Sequence, residues 1–163
     1  MQQLWAPWRM AYLTGDEVPL PGCFLCLLGA ATPADGPDLV VWRGELVYAL
    51  LNAYPYANGH VMVAPYVHEG DLLALDEPTA QALMVGVRRV VAALRRAYDP
   101  PGFNVGANLG QVAGAGFGDH LHLHVVPRWS GDTNFMTTTA ATRVIPEALA
   151  DTAARLRSIL ADG

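Results

Sequence analysis

Residues 120–126 read "HLHLHVV", and this stretch decides the architecture around it. His120, His122 and His124 alternate with Leu121, Leu123 and Val125. A period of two belongs to a strand, with the imidazoles on one face and the aliphatic side chains on the core-facing half. The whole chain holds five histidines, so three within seven positions is a concentration that sheet-surface polarity explains poorly. Alternate residues of a strand stand about 6.6–7 Å apart, a separation that brackets a phosphate or two ends of one substrate. Two H-x-H pairs can also chelate a metal if their rings converge. The H-x-H-x-D-H pattern of hydrolytic zinc sites is not matched, because Leu123 precedes the last histidine and the nearest acid is Asp119, in front.

Working outward, "LVVW" (39–42), "LVYALLN" (46–52) and "HVMVAP" (60–65) are rich in valine and aromatic residues and are separated by turn-forming "RGE" and "AYPYANG", which predicts three more strands. "FNVGANLG" (103–110) predicts another, with Phe103, Val105 and Ala107 facing one way. Between them the period changes. Leu83, Val87, Val90, Val91 and Leu94 recur at steps of three and four, which predicts a helix from Pro78 to Tyr98. Asp76 or Glu77 suits its start and "DPPG" its end. A last helix is expected from Pro146 to Leu160. The fold class is therefore α+β: roughly five antiparallel strands, one long helix and a C-terminal helix in one domain over 1–163. Residues 1–20, with Trp5, Trp8, Met10 and Tyr12, form an N-terminal arm, and 131–163 a C-terminal extension ending in the helix.

Composition narrows the function. A chain of 163 residues with 52 % hydrophobic and 15 % charged residues buries a sizeable core. No apolar run reaches the ~20 residues needed to span a bilayer, and the N-terminus lacks a signal-peptide pattern, so a cytoplasmic protein with no membrane partner is expected. A net charge of −5 argues against nucleic-acid binding. All ten basic residues are arginine, so an anionic substrate must be held by histidine, arginine or backbone amides.

Two further segments bear on chemistry. "NLGQVAGAGFGD" (108–119) abuts the histidines, and its glycines bring exposed amides close to a ligand. Amides and imidazoles converging on one point suit a phosphoryl group. Both cysteines fall in "CFLC" as Cys23 and Cys26, a spacing that fits a metal half-site, a redox pair or two buried small residues.

"HLHLHVV", "NAYPYANGHVMVAPYVH" (52–68), the "CFLC" pair, "LWAPWRM" at the start and "PRWSGDTNFM" after the triad together resemble the histidine triad (HIT) family, over roughly residues 4–160. The likeness is to a prokaryotic branch of diadenosine tetraphosphate phosphorylases and hydrolases. It implies a HIT-like fold, and His122 as a nucleophile that takes a nucleotidyl group from the α-phosphate of a nucleotide or dinucleoside polyphosphate. His124 would stabilise the phosphate oxygens, with His60 and Asn108 lining the same pocket. Asn52 would hold the ribose, and Phe24, Leu27 and Val47 an apolar nucleoside cleft. Many relatives carry Ser or Thr where this chain has Phe117, so leaving-group stabilisation would fall to the Ala115 and Gly116 amides. Arg128 or Arg143 could supply the pocket of an acceptor phosphate. By similarity to the distant hexose-1-phosphate uridylyltransferases, Cys23, Cys26, His68 and His120 would form a structural Zn²⁺ site. Mg²⁺ is an optional companion of the polyphosphate, and a homodimer with a continuous sheet is implied. The competing class is a zinc-containing, nucleotide-binding interaction protein with little turnover.

Overall fold

The computed structural model describes residues 22–32, 39–132 and 147–162. The aromatic arm expected over 1–20, Arg143 and the helix start expected at Pro146 lie outside the described residues. The elements are α1 (Phe24–Ala30), β1 (Val40–Arg43), β2 (Val47–Leu51), β3 (Val61–Pro65), α2 (Glu77–Tyr98), β4 (Gly102–Gly106), a 3-10 turn (Gln111–Ala113), β5 (Leu123–Arg128) and α3 (Leu149–Ala161). The strands form one sheet in the order β1-β2-β3-β5-β4, and every pairing is antiparallel. The α+β class expected from the sequence is the one observed.

The long helix follows its signals closely. The Asp76 side chain accepts from the Thr79 N–H, Pro78 sits in the first turn, and Asp99 closes the helix in the left-handed region at φ 44°. Arg95 and Arg96 lie in the last turn, where positive charge offsets the exposed carbonyls. Its buried stripe of Leu83, Val87, Val90 and Leu94 packs with α3 on one sheet face, against Val47, Ala49, Leu51, Val61, Val63 and Val125. Each fully buried aliphatic side chain contributes roughly 1.5–3 kcal/mol, so this layer is the main source of stability. The opposite face carries Tyr48, Leu50, Met62 and Ala64 beneath α1, whose Leu25 is fully buried. Tyr48 fixes α1 by donating its hydroxyl to the Leu25 carbonyl. Seven residues are too few to display a helical period, and α1 has no counterpart in the sequence reading.

Four strands are shorter than expected, β2 by Leu46 and Asn52 and β3 by His60, with larger losses in β4 and β5. β4 stops at Gly106, short of the expected 103–110, and β5 starts at Leu123, three residues into the expected strand that opens at His120. The β3–β5 ladder ends at Val63↔Leu123, and β3 itself ends at Pro65. Before that point the chain is anchored elsewhere: the Leu121 N–H donates to the Glu69 carbonyl at 2.7 Å. The alternation survives this departure, since Leu121, Leu123 and Val125 still pack on the helix side.

Candidate active site

His60, His122 and His124 meet on the sheet face opposite α2. His124 pairs with Met62 in the β3–β5 register, and His60 is the residue that enters β3. The rings of His122 and His124 stand at 4.9 Å between centroids, nearly perpendicular, and those of His124 and His60 at 5.1 Å.

Hydrogen bonds fix where each proton sits. The Tyr56 backbone N–H donates to His60 Nδ1 at 3.1 Å, so a neutral His60 carries its proton on Nε2. That Nε2–H donates to His124 Nδ1 at 3.0 Å, which leaves the His124 proton on Nε2. Separately, His122 Nδ1 donates to the His120 carbonyl at 3.0 Å, so its lone pair is on Nε2. Burial keeps the first two rings neutral: it pushes His60 down to about 3 and His124 down to about 4, with further repulsion from the neighbouring imidazoles. The site thus holds one imidazole with an available lone pair beside another with an N–H to offer.

His120 faces elsewhere. It is buried, its Nε2–H donates to the Pro65 carbonyl at 2.9 Å, and its Nδ1 lies 3.3 Å from Cys23 Sγ and 3.4 Å from Cys26 Sγ. His68 Nδ1 is 3.3 Å from Cys26 Sγ. The ligating atoms of Cys23, Cys26, His68 and His120 all lie within 4.8 Å of one another. Sulfur and nitrogen ligands of a tetrahedral zinc ion are about 3.6 Å apart, worked from bond lengths of about 2.3 and 2.05 Å. The four residues therefore fit a metal ion. Burial, then the adjacent Cys23, pushes the Cys26 thiol up, a penalty that a cation between the sulfurs would relieve. His120 links the two centres, because its ring faces the cluster while its carbonyl holds His122.

The remaining site residues divide. Phe24 meets Phe117 edge-on at 4.5 Å, pinning the glycine loop to α1, and Leu27 is exposed one turn along the same helix. Asn52 takes the Tyr54 N–H on its Oδ1 and so shapes the turn between β2 and β3. Asn108 Nδ2 donates to the Gly114 carbonyl across the loop, whose Gly110 and Gly114 adopt φ of +83° and +91°. Three expectations need correction. Val47 lies in the core against α2, not in a cleft on the histidine face. The Ala115 N–H is directed to the Gly110 carbonyl at 3.4 Å and is not left for a leaving group. Arg128 is committed to Asp132 and Asn104, which removes it as an acceptor pocket. A cavity of about 530 Å³ opens beside His68, but Glu69, Asp71 and Asp119 line it and repel phosphate.

The HIT domain profile matches residues 34–131. The chain belongs to the HIT family. Among curated HIT relatives, the AP-4-A phosphorylase of Mycobacterium tuberculosis is 43% identical over 159 residues, spanning 93% of this chain and 80% of the relative. A Zn-bound histidine triad family protein from Mycobacterium smegmatis superposes with a TM-score of 0.69 at 28% identity, covering 86% of this chain and 94% of that one. A hypothetical histidine triad nucleotide-binding protein from Sulfolobus tokodaii gives a TM-score of 0.69 at 26% identity, covering 86% and 93%. No helix of the described residues is long and apolar enough to cross a membrane.

Proposed function

We propose that this HIT protein is a nucleotidyl transferase that cleaves dinucleoside polyphosphates, such as diadenosine tetraphosphate, at the α-phosphate through a covalent nucleotidyl-His122. The observation that carries the reading is the proton arrangement: a lone pair on His122 Nε2 beside an N–H on His124 Nε2. His122 Nε2 attacks the α-phosphorus, a P–N bond forms, and the P–O bond to the remaining polyphosphate breaks, its electron pair leaving on oxygen. The ring becomes cationic in this step, so its Nδ1–H bond to the His120 carbonyl strengthens toward the transition state. His124 donates to an α-phosphate oxygen as charge builds there. Phosphate or water then attacks phosphorus, and the P–N electrons return to His122. The likeness to an AP-4-A phosphorylase favours phosphate as acceptor. The ribose is assigned to Asn52, the nucleoside to the surface around Phe24 and Leu27, and the leaving group to the Gly116 amide, with Asn108 bracing the loop.

Cys23, Cys26, His68 and His120 would hold Zn²⁺ as a closed structural centre, whose chemistry is to fasten α1 to the segment entering β5. The same reading makes the protein cytoplasmic and a homodimer paired along the outer edge of β4, where Val105 is half-exposed. The test is product analysis after incubation with diadenosine tetraphosphate. ADP plus ATP only when phosphate is added identifies a phosphorylase and AMP plus ATP a hydrolase, whereas two ADP would mean attack at a middle phosphate and would refute cleavage at the α-phosphate. No turnover with either acceptor would sink the enzymatic reading.

A further inference from the structure

Tyr56 lies four residues before His60 and touches it twice. Its backbone N–H donates to His60 Nδ1 at 3.1 Å, and its ring lies over the imidazole at 4.7 Å between centroids with the planes tilted by 31°. The same ring is 6.1 Å from His124. His60 is 1 % exposed while Tyr56 is 38 % exposed, so the ring is the histidine's cover on the solvent side.

Two neutral imidazoles joined by one N–H···N bond have two proton registers. In the observed one His60 donates and His124 keeps a proton on Nε2. In the other, His124 donates from Nδ1 and its Nε2 becomes a bare lone pair, which would face a phosphate oxygen and repel it. The second register requires a proton on His60 Nδ1, where the Tyr56 N–H already points. A hydrogen cannot occupy a lone pair that is accepting another hydrogen bond.

We propose that Tyr56 is a positioning residue that sets this register and keeps it dry. Its backbone N–H selects which nitrogen of each ring is protonated, and its ring excludes water from the His60–His124 bond. The catalytic purpose, presenting the His124 N–H to an α-phosphate oxygen, rests on the function proposed above; the effect on the pair does not. The charges that bear on His60 are those of His124 and His122, and on His124 that of His122. No carboxylate or guanidinium among the described residues contributes, so removal of the ring acts through hydration, while the backbone N–H that selects the register stays in every variant.

The experiment is a ¹⁵N–¹H NMR titration of the imidazoles of the whole, ligand-free protein from pH 8 to pH 5. It compares wild type with Tyr56→Ala, Tyr56→Leu and Tyr56→Phe. Wild type and Tyr56→Phe keep His60 and His124 neutral to pH 5, with the His124 Nε2 signal of a protonated nitrogen. Tyr56→Ala keeps the His124 Nε2 signal, because the backbone N–H remains, but brings the midpoint of at least one ring above pH 5, tenfold or more in proton affinity. Tyr56→Leu keeps apolar volume in the loop and reports in the same direction if the Ala variant fails to fold. His60 and His124 still neutral at pH 5 in both the Ala and Leu variants, or a wild-type His124 protonated on Nδ1, would overturn the proposal. So would a Phe variant shifted as far as Ala, which would assign the effect to the hydroxyl. Because no substrate is present, a wild-type protein that turns over nothing would refute the proposed function while leaving this result to stand or fall separately.

Discussion

Acidification gives a quantitative test of the neutral histidine pair. An unfolded histidine titrates near 6.5, whereas burial holds His60 down to about 3 and His124 down to about 4 in the folded chain. Both folded values are depressed, so above pH 6.5 neither state binds the proton and the pair has no effect on the pH dependence. Between 6.5 and 4 the unfolded chain binds protons that the folded chain refuses, and stability falls as pH falls. Each ring contributes at most about 1.4 kcal/mol per pH unit. From pH 7.5 to 4.5 this amounts to between roughly 2 and 3 kcal/mol per ring, and about 5 kcal/mol for the pair as a ceiling. That is comparable with the whole stability of many domains, about 5–15 kcal/mol. The assay is urea unfolding at pH 7.5, 5.5 and 4.5 of wild type against a His60→Gln, His124→Gln double variant. Glutamine keeps amide hydrogen bonding without titrating, and both proteins share the acid sensitivity of the cysteine–histidine cluster, so the difference isolates the pair. Wild type should lose several kcal/mol more than the variant. Parallel pH profiles would refute the argument that these imidazoles are buried and neutral.

Three other outcomes follow from the same geometry. His122→Ala should lower kcat by three or more orders of magnitude, on the order of 4 kcal/mol, while equilibrium dialysis still detects bound nucleotide; normal cleavage would end the covalent reading. Cys23→Ser with Cys26→Ser should remove bound zinc, measured by mass spectrometry of the metal, and lower the unfolding temperature because α1 loses its tie to His120. Arg128→Ala should leave the KM for phosphate unchanged and cost no more than about 1 kcal/mol, since its partly exposed ion pair with Asp132 is screened by solvent; a many-fold rise in that KM would restore it to the site.

Much of the fold was legible because it rests on local periods. The alternation in 120–126 and the three- and four-residue steps in 78–98 report which side chains must leave water together, and both survive in the core. The caps of α2 were equally readable, since Asp76 and Asp99 act within a few residues of their own position. Other features depended on loop geometry that no sequence period reports. Asp132 lies only four residues from Arg128, but the turn that brings it back and the placing of Asn104 on the neighbouring strand belong to the fold. Nothing near Ala115 announces that its amide turns back to Gly110.

The histidines show the same division. Composition and spacing alone determined that three imidazoles share one side of a strand-like segment and that two cysteines sit three residues apart. The likeness to the HIT family supplied the expectation that the imidazoles do different work. A second likeness supplied the expectation that His120 joins Cys23 and Cys26, 97 and 94 residues away, and the tertiary structure brings them together; only that structure set Tyr56 on His60 and His60 on His124. The reason is physical: a sequence period reports which face a side chain takes, but the proton on an imidazole is assigned by whichever donor or acceptor the fold brings to its other nitrogen.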